Sequence, residues 1–292
     1  MRWQAYGDWG TSCLRLYRLE QGRVVARADG PGIHKLPAAP AVALRETLAL
    51  LGPDRPAEIR LCGMAGARGG LAEVGYVECP ADARKWSGAA ASLQLDGIPL
   101  RIAAGLACRN DLPEVMRGEE TQVFGALTVE PELGAVLLPG THSKWVQVAD
   151  GAITRIHTFL TGELFALLAD QSTLAPAATG TAVDEEAGFA EGLTQALNGA
   201  GLAATLFATR ALQLRENRSG RWASGFLSGL LIGDELGEVR RKGDLPDRVT
   251  VIGAPDLSDR YVQGLTQCCV AVQRLDGQDC ALKGLGLLDE DD

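Results

Sequence analysis

Histidine is scarce in this chain, and the short motifs that hold structural zinc are missing. Only three histidines occur in 292 residues, and the seven cysteines are scattered without a Cys-x-x-Cys pair. Structural zinc sites use four cysteine or histidine ligands at characteristic spacings, so this pattern argues against one. An odd number of scattered cysteines also favours a compartment that keeps thiols reduced. We therefore expect a cytoplasmic protein without structural zinc.

Long apolar runs and flexible linkers are also lacking. No stretch approaches the ~20 consecutive apolar residues that a membrane-spanning helix needs. No Gly/Ser or Pro tract of linker composition interrupts the chain. The sequence begins with a strand pattern instead of a charged and apolar targeting segment. We expect neither a membrane span nor a disordered linker.

Basic residues are outnumbered by acidic ones, 28 against 37, which gives a formal net charge of −9. Such a chain repels nucleic acids and anionic membranes, so neither is an expected partner. An anionic small molecule could still bind in a local pocket of arginines, lysines or backbone amides. The expected partner is therefore a small molecule, and the sequence leaves a homodimer open.

A short glycine-containing loop occurs twice, about half a chain apart. Residues 7–12 read Gly-Asp-Trp-Gly-Thr-Ser, and residues 138–143 read Leu-Pro-Gly-Thr-His-Ser. Each copy leads into an alternating strand, a turn at residues 20–22 or 150–151, and a second alternating strand. Two unrelated turns would not explain why both copies carry Gly-Thr. The repeat, in a chain of this length, indicates two lobes built on one plan.

Loops of this composition suit phosphate binding. Small residues let backbone N–H groups approach an anion, and hydroxyls add donors. An acidic residue in such a loop can hold Mg²⁺, so Asp8 is the candidate metal residue; alternatively, it stabilises its own turn. Lys144 could add a charge or be a solvated residue that starts a strand. The predicted phosphate-binding residues are Gly10, Thr11, Ser12, Gly140, Thr141, His142, Ser143 and Lys144.

The paired loops resemble the two phosphate motifs of the sugar-kinase/actin/heat-shock ATPase superfamily. Six stretches, at residues 63–68, 76–81, 114–122, 138–145, 161–168 and 227–233, narrow the resemblance further. With them, the chain resembles the 2-dehydro-3-deoxygalactonokinase family. The resemblance implies an α/β, two-lobed ribonuclease H-like fold of the actin/hexokinase type, with a nucleotide cleft between the lobes. We expect an N-terminal lobe at residues 1–130 and a C-terminal lobe at 131–292.

The resemblance also implies a reaction and its cofactors. The expected enzyme uses ATP and Mg²⁺ to phosphorylate the 6-hydroxyl of 2-dehydro-3-deoxy-D-galactonate, in galactonate catabolism. Three alternatives stay open at this point: a kinase for a related 2-keto-3-deoxy sugar acid, an exopolyphosphatase-like phosphohydrolase, and a non-catalytic sugar-acid sensor.

Three carboxylates are candidates for the general base that phosphoryl transfer to an alcohol needs. The run at residues 117–120, with Glu119 and Glu120, resembles the segment that carries the catalytic glutamate in exopolyphosphatase-like relatives. Asp111, after Asn110, resembles the base of hexokinase-type relatives. Glu119 and Glu120 also open a predicted helix, so they could be capping acids only. The sequence does not choose between Glu119 and Asp111.

The remaining candidates concern the sugar acid and the nucleoside. A carboxylate is best bound by a planar cation, and Arg68, in a glycine-rich loop after a predicted strand at 59–62, is the first choice, with Arg117 second. Thr161 and Glu163 begin a predicted helix; Thr161 caps it or contacts substrate, and Glu163 could reach sugar hydroxyls. The loop expected beside the adenosine contains Gly253 and Ala254, after a predicted strand at 249–252.

Helices are predicted in the C-terminal half by apolar spacing. The predicted spans are residues 188–197, 202–215 and 226–236. Gly229 and Gly233 in the third helix are expected to allow close packing against a neighbour.

Overall fold

The computed structural model describes residues 3–174, 179–199 and 201–288. The strands are β1 (Gln4–Trp9), β2 (Cys13–Glu20), β3 (Arg23–Pro31), β4 (Glu58–Gly63), β5 (Tyr76–Glu78), β6 (Ala91–Leu95), β7 (Ile98–Ile102), β8 (Gly105–Arg109), β9 (Pro113–Met116), β10 (Ala135–Leu138), β11 (Ser143–Ala149), β12 (Ala152–Phe159), β13 (Arg248–Gly253) and β14 (Ala271–Asp276). The α-helices are α1 (Pro40–Ala49), α2 (Ala83–Ser87), α3 (Glu119–Leu127), α4 (Thr161–Gln171), α5 (Ala182–Leu197), α6 (Leu202–Thr205), α7 (Ala208–Glu216), α8 (Gly220–Arg241), α9 (Pro255–Gln267) and α10 (Gly277–Gly286).

The chain divides into two compact units. The first unit comprises Met1–Val136, Val146–His157 and Leu275–Asp292, and the second comprises Leu137–Trp145 and Thr158–Arg274. A single cut near residue 130 therefore does not describe the units, because the C-terminal segment belongs with the first one.

A six-stranded sheet forms the centre of the first unit, in the order β3-β2-β1-β4-β7-β6. Strand β1 pairs with β2 in antiparallel fashion and with β4 in parallel, which sets Asp8 opposite Cys62 and Trp9 opposite Gly63. Alternate residues point into the core, as Leu14 and Leu16 do on either side of the exposed Arg15. The parallel pair therefore brings the ends of β1 and β4 to one edge of the sheet.

The predicted repeat is confirmed by two hairpins with the same turn. The β2–β3 hairpin turns at Gln21 and Gly22, with φ of 51° and 75°, and the β11–β12 hairpin turns at Asp150 and Gly151, with φ of 50° and 73°. Two positive φ values in a two-residue loop define a type I′ turn, whose twist matches that of the flanking strands. The second hairpin belongs to a five-stranded sheet of order β12-β11-β10-β13-β14, and a third sheet has the order β5-β8-β9.

Helix α10 packs against α3 through glycines on both helices. A Cβ built on Gly125 would lie 1.8 Å from the carbonyl oxygen of Cys280, and one on Gly284 would lie 1.9 Å from that of Thr121. Arg60 of β4 also donates from Nη1 to the carbonyl oxygens of Leu285, at 3.2 Å, and of Gly286, at 3.0 Å. The C-terminal helix is therefore an integral part of the first unit.

Helices α5 and α8 pack in the same backbone-to-backbone way in the second unit. A Cβ on Gly229 would lie 2.2 Å from the carbonyl oxygen of Phe189, and one on Gly233 would lie 2.7 Å from the Cβ of Ala196. The close packing predicted at these two glycines is confirmed. Both α5 and α8 are longer than the spans predicted at 188–197 and 226–236.

The predicted helix at 202–215 was wrong as a single element, because two helices occupy it. Helices α6 and α7 are separated by Leu206 and Phe207. Both residues keep right-handed helical dihedrals, with φ of −52° and −67°, so the apolar spacing continues through the break. Among the described residues, no helix combines the length and apolar character needed to cross a bilayer.

Candidate active site

Asp8 stands at the end of β1 beside an arginine and a cysteine. Its Oδ2 accepts a hydrogen bond from Arg15 Nη1 at 3.3 Å, and its Oδ1 faces Cys62 Sγ at 3.8 Å. Burial raises the pKa of the Asp8 carboxyl, and the Arg15 charge opposes that shift. Within the described part of the chain, Asp8 makes no bond to its own turn, which is closed instead by the Gly10 N–H donating to Cys13 O at 2.8 Å.

Two glycines bring the start of α3 against the end of β4. A Cβ on Gly63 would lie 2.6 Å from Trp9 O and 3.2 Å from Asp8 Oδ1. A Cβ on Gly118 would lie 3.2 Å from Gly63 Cα. Both glycines have positive φ, 72° and 109°, which other residues rarely adopt. The N-terminus of α3 is therefore a near neighbour of the Asp8 edge of the sheet.

Glu120 and Glu119 bind the backbone just before α3. Glu120 is completely buried, and both of its carboxylate oxygens accept from the Gly118 N–H at 2.8 Å. Burial, and then the charge of Glu119, raise the pKa of Glu120 to about 7. Glu119 is only partly buried and accepts from the Arg117 N–H at 3.0 Å. These contacts are the ones expected of capping acids, so any further role must be compatible with them.

Asp111 lies apart from these two glutamates. It is exposed in the turn between β8 and β9. Strand β9 separates this turn from Arg117, and its four residues at ~3.3 Å each span about 13 Å. The structure therefore brings Glu119 and Glu120, but not Asp111, to the Asp8 edge of the first unit.

The two candidate arginines differ in their surroundings. Arg68 is exposed in the loop that follows Gly66. Arg117 donates from Nη2 to Val74 O at 2.7 Å, and its guanidinium stacks 4.4 Å from the centre of the Tyr76 ring. Its Nε and Nη1 are buried without a hydrogen-bond partner among the described residues. A Cβ on Gly66 would lie 2.8 Å from Arg117 Nη1, so Arg117 borders the loop that carries Arg68.

The second loop packs against the start of α4. A Cβ on Gly162 would lie 2.3 Å from Gly140 O, and the Glu163 N–H donates to Thr141 O at 2.9 Å. The side chains of His142 and Glu163 meet at 2.6 Å between Nε2 and Oε2. The structure therefore joins the predicted phosphate residues Gly140, Thr141 and His142 to the predicted substrate residue Glu163.

A buried carboxylate behind this loop was missed by sequence reasoning. Glu235 of α8 is 2% exposed, and its Oε1 accepts from Ser143 Oγ at 2.7 Å and Trp145 Nε1 at 2.8 Å. Its Oε2 accepts from Tyr261 OH at 2.7 Å and from the Thr161 hydroxyl. Burial raises the pKa of Glu235, and the four hydrogen bonds act in the opposite direction.

These contacts correct two interpretations. Thr161 is not the N-cap of α4, because Leu160 occupies that position and the Thr161 hydroxyl is engaged by Glu235. Lys144 is not a solvated residue: it is 5% exposed and donates from Nζ to Thr158 Oγ1 at 2.9 Å. The Ser143 side chain is likewise buried, so any phosphate contact of this residue would come from its backbone.

A cavity of about 510 Å³ lies beside this loop in the second unit. Gly140, Thr141 and Gly162 border it, and Gly253 and Ala254 lead into helix α9, whose first turn lines it. Mostly apolar concave sites with a few polar groups suit small organic ligands. The apolar lining comes from Phe165, Leu231, Ile232 and Leu257, and the polar lining includes Ser224, Ser228, Asp256, Tyr261 and the ion pair of Glu185 with Arg260.

Potential metal ligands are not clustered in the described residues. Across residues 3–174, 179–199 and 201–288, no group of three or more His, Cys, Asp or Glu side chains could hold a metal ion. A cation at Asp8 would therefore need further ligands from a bound molecule or from water.

Comparison with known proteins identifies the family. The sequence pattern of the family described as 2-keto-3-deoxy-galactonokinase matches residues 8–288. The chain belongs to the 2-keto-3-deoxy-galactonokinase family. A Rhizobium meliloti protein designated a probable 2-dehydro-3-deoxygalactonokinase is 36% identical over 296 residues, which cover 95% of this chain and 94% of the relative. The Escherichia coli 2-dehydro-3-deoxygalactonokinase is 31% identical over 259 residues, which cover 88% and 87%.

Solved structures place this member of the 2-keto-3-deoxy-galactonokinase family among the sugar kinases in fold. A structure from Sinorhizobium meliloti with the same 2-dehydro-3-deoxygalactonokinase designation has a TM-score of 0.89 and 33% identity, and covers 98% of this chain and 95% of that one. Xylulose kinase from Lactobacillus acidophilus has a TM-score of 0.52 at 10% identity, covering 99% and 89%, and indicates the fold alone. The predicted fold class and family resemblance are confirmed.

Glu235 could have been noticed in the sequence of this 2-keto-3-deoxy-galactonokinase family member by one signal. It follows Asp234 at the end of a mostly apolar helical run, one turn after the buried side of that run, and glutamate is rarely buried without partners. Within the predicted span at 226–236, the sequence predicted close packing at Gly229 and Gly233 and a family resemblance at 227–233, and Glu235 belongs to neither. The donors that surround Glu235 come from residues between 143 and 261, and no local pattern connects them.

Proposed function

We propose that this chain transfers the γ-phosphate of ATP to the 6-hydroxyl of 2-dehydro-3-deoxy-D-galactonate, as a cytoplasmic enzyme of galactonate catabolism. The observation that carries the proposal is the family match over residues 8–288, which includes Asp8 to Ser12 of the first glycine-containing loop and all of the second. The designations of the Rhizobium meliloti and Escherichia coli relatives support the same substrate.

The second unit offers features that fit a nucleotide. We assign the adenosine to the 510 Å³ cavity, because its apolar walls suit a planar base and its polar groups can orient the ribose. We assign phosphate binding to the Gly140–Thr141 segment at the border of this cavity. Backbone amides of such loops bind phosphate oxygens without needing a charged side chain.

Asp8 fits a magnesium ion that is held largely by its substrate. Mg²⁺ is commonly bound by one or two carboxylates together with phosphate oxygens and waters, so a single carboxylate is adequate. When bound, the ion neutralises charge that develops on the transferred phosphoryl group. Thr11 and Ser12, at the tip of the neighbouring turn, supply hydroxyl and amide donors for phosphate oxygens.

For the general base we favour Glu119 over Glu120 and Asp111. Glu120 has no exposed surface and directs both oxygens to the Gly118 N–H, so we assign it to holding Gly118 in place. Glu119 is partly exposed and lies next to the Asp8 edge, where it can accept the proton of the 6-hydroxyl as that oxygen attacks. Asp111 lies in the turn at the other end of β9, a strand whose four residues span about 13 Å.

The carboxylate of the sugar acid is assigned to the neighbouring arginines. Arg117 borders the loop that carries Arg68, so its guanidinium places a positive charge next to that loop. Arg68, exposed in the adjoining loop, adds a second positive charge that can reach the same anion.

The decisive experiment measures ATP consumption by the purified protein with Mg²⁺ and a panel of keto acids derived from galactonate, gluconate and arabinonate. We expect consumption only when acceptor is present, with the highest kcat/KM for the galactonate-derived acid. Phosphate release without any acceptor would support a phosphohydrolase instead. A higher kcat/KM for another acid in the panel would reassign the substrate.

The assignment of the base is tested by comparing two variants at saturating substrates. Glu119→Gln should lower kcat by roughly 100-fold or more, the range that a general base supplies. Asp111→Asn should stay within about threefold of the unmodified enzyme. The reverse order of the two effects would make Asp111 the base.

A further inference from the structure

The hydrogen bonds to Glu235 tie together three separate parts of the second unit. Its donors are Ser143 and Trp145 at the start of β11, Thr161 at the first residue of α4, and Tyr261 in α9. All four donors are neutral groups. A carboxylate that accepts several such bonds in a buried place is held in one orientation, and it holds its donors in return.

The same three parts surround the loop and cavity assigned to ATP. Thr161 and Tyr261 both line the cavity, and Ser143 directly follows the Gly140–His142 loop. Helix α4 is pressed onto that loop, because the Glu163 N–H donates to Thr141 O and Gly162 leaves no room for a side chain beside Gly140. A displacement of any Glu235 donor would therefore be transmitted to the loop or to the cavity wall.

We propose that Glu235 is a positioning residue for nucleotide binding, which fixes the Gly140–His142 loop, the start of α4 and helix α9 in the arrangement that receives ATP. The inference rests on the proposed function, because it assigns the cavity to the nucleotide. Glu235 itself is buried behind the loop and is not among the residues that line the cavity.

Two conservative variants test the donors without removing the carboxylate. Thr161→Val and Tyr261→Phe each delete one hydroxyl and leave three donors on Glu235. Each should raise the KM for ATP by roughly 5- to 20-fold, which corresponds to about 1–2 kcal/mol and lies between the upper end of an ordinary hydrogen bond and the lower end of one to a charged group, while the KM for the sugar acid changes less than about twofold. A purely structural role would lower the active fraction, and hence kcat, without separating the two KM values.

Two variants at Glu235 test the role of its carboxylate directly. Glu235→Ala removes every acceptor and should raise the KM for ATP by at least about 20-fold. Glu235→Gln should recover most of this loss, because its oxygen still accepts from Ser143 and Trp145 and its amide can donate to the two hydroxyls. Glu238→Gln, one turn further along α8 in an exposed ion pair with Arg241, is the matched control and should behave as the unmodified protein.

The readouts separate this inference from the proposed function. Calorimetric titration with an ATP analogue, in the absence of sugar acid, should give the same ranking of affinities as the KM values for ATP. If the unmodified protein turns over ATP with the sugar acid but Thr161→Val and Tyr261→Phe keep the KM for ATP within twofold, the role of Glu235 is refuted. If it consumes no ATP with any acceptor, the proposed function fails, and the titration still decides whether Glu235 supports nucleotide binding.

Discussion

Gly63 and Gly118 approach each other so closely that a Cβ on Gly118 would lie 3.2 Å from the Cα of Gly63. Both have φ in the left-handed region, 72° for Gly63 and 109° for Gly118. Through this contact the end of β4 meets the start of α3, and Glu119 is set beside the edge that carries Asp8. The relative position of these two carboxylates depends on two residues that have no side chain.

Replacing Gly118 by alanine should therefore lower both stability and activity. The positive φ alone costs on the order of 1–3 kcal/mol for a residue with a Cβ, and the contact with Gly63 adds to it. Denaturant unfolding measures the first effect and kcat the second. Gly134→Ala is the control, because a Cβ at Gly134 meets nothing within 4 Å. Equal stabilities of the two variants would contradict the importance of this contact.

The buried carboxyl of Glu120 should make stability depend on pH. Its pKa is raised from 4.5 to about 7, so between these values the native protein keeps a proton that the unfolded chain has released. The free energy of unfolding therefore falls as pH rises through this window, by on the order of 3 kcal/mol from this group.

Glu120→Gln removes this titration and should flatten the pH dependence. Its free energy of unfolding, relative to the unmodified protein, should be higher at about pH 8 than at about pH 4. Urea unfolding at several pH values measures the difference, with a Gln substitution at the exposed Glu46 as the control. A constant difference across the range would show that Glu120 titrates in the native state as it does in the unfolded chain.

Asp8→Asn should abolish most of the activity while the fold persists. The amide keeps the size of the side chain but loses the charge that would favour a magnesium ion, so kcat should fall by about 100-fold or more. A titration with Mg²⁺ should show that the remaining activity saturates at higher metal concentration. Asp29→Asn, at an exposed ion pair with Arg27, controls for the loss of a surface charge. Unchanged Mg²⁺ dependence in Asp8→Asn would remove Asp8 from the metal site.

The packing of α5 on α8 gives a test with two glycines of one helix. Gly229→Ala would place a methyl group 2.2 Å from the carbonyl oxygen of Phe189, and should destabilise the protein by ~1–3 kcal/mol. Gly237→Ala meets only the end of the Arg241 side chain and should be neutral or stabilising by up to ~1 kcal/mol, since alanine favours helices. Thermal unfolding measures the stability of both variants. A similar loss of stability in the two would argue against close backbone packing of α5 on α8.

Local features of the fold were predictable from the sequence, and distant relationships were not. The two hairpins could be predicted because their alternating strands and their turn residues, such as Gln21 and Gly22, are consecutive in the sequence. The break between α6 and α7 was not predicted, because the two linking residues have helical backbone dihedral angles. Apolar spacing reports which side of a segment is buried and not whether the segment is continuous.

The candidate site shows the same limit. Asp8, Glu119 and the Gly140–His142 loop could be proposed from short motifs, because glycines and acids cluster there in the sequence. The stacking of Arg117 on Tyr76 and the four donors of Glu235 could not, since the partners of each residue lie in other elements, distant in the sequence. Thr161 is an example. Its position in the sequence predicted an N-cap, but its hydroxyl donates a hydrogen bond to Glu235, which lies in a different helix.

The position of helix α10 determines when the first unit can complete its fold during translation. It covers α3 through Gly284, and Leu285 and Gly286 supply the carbonyls that Arg60 of the central sheet binds. While the chain is being translated, the strands of the first unit leave the ribosome long before this helix does. The nascent N-terminal sheet must therefore wait, with one side of α3 uncovered, until the second unit has been synthesised and α10 has emerged.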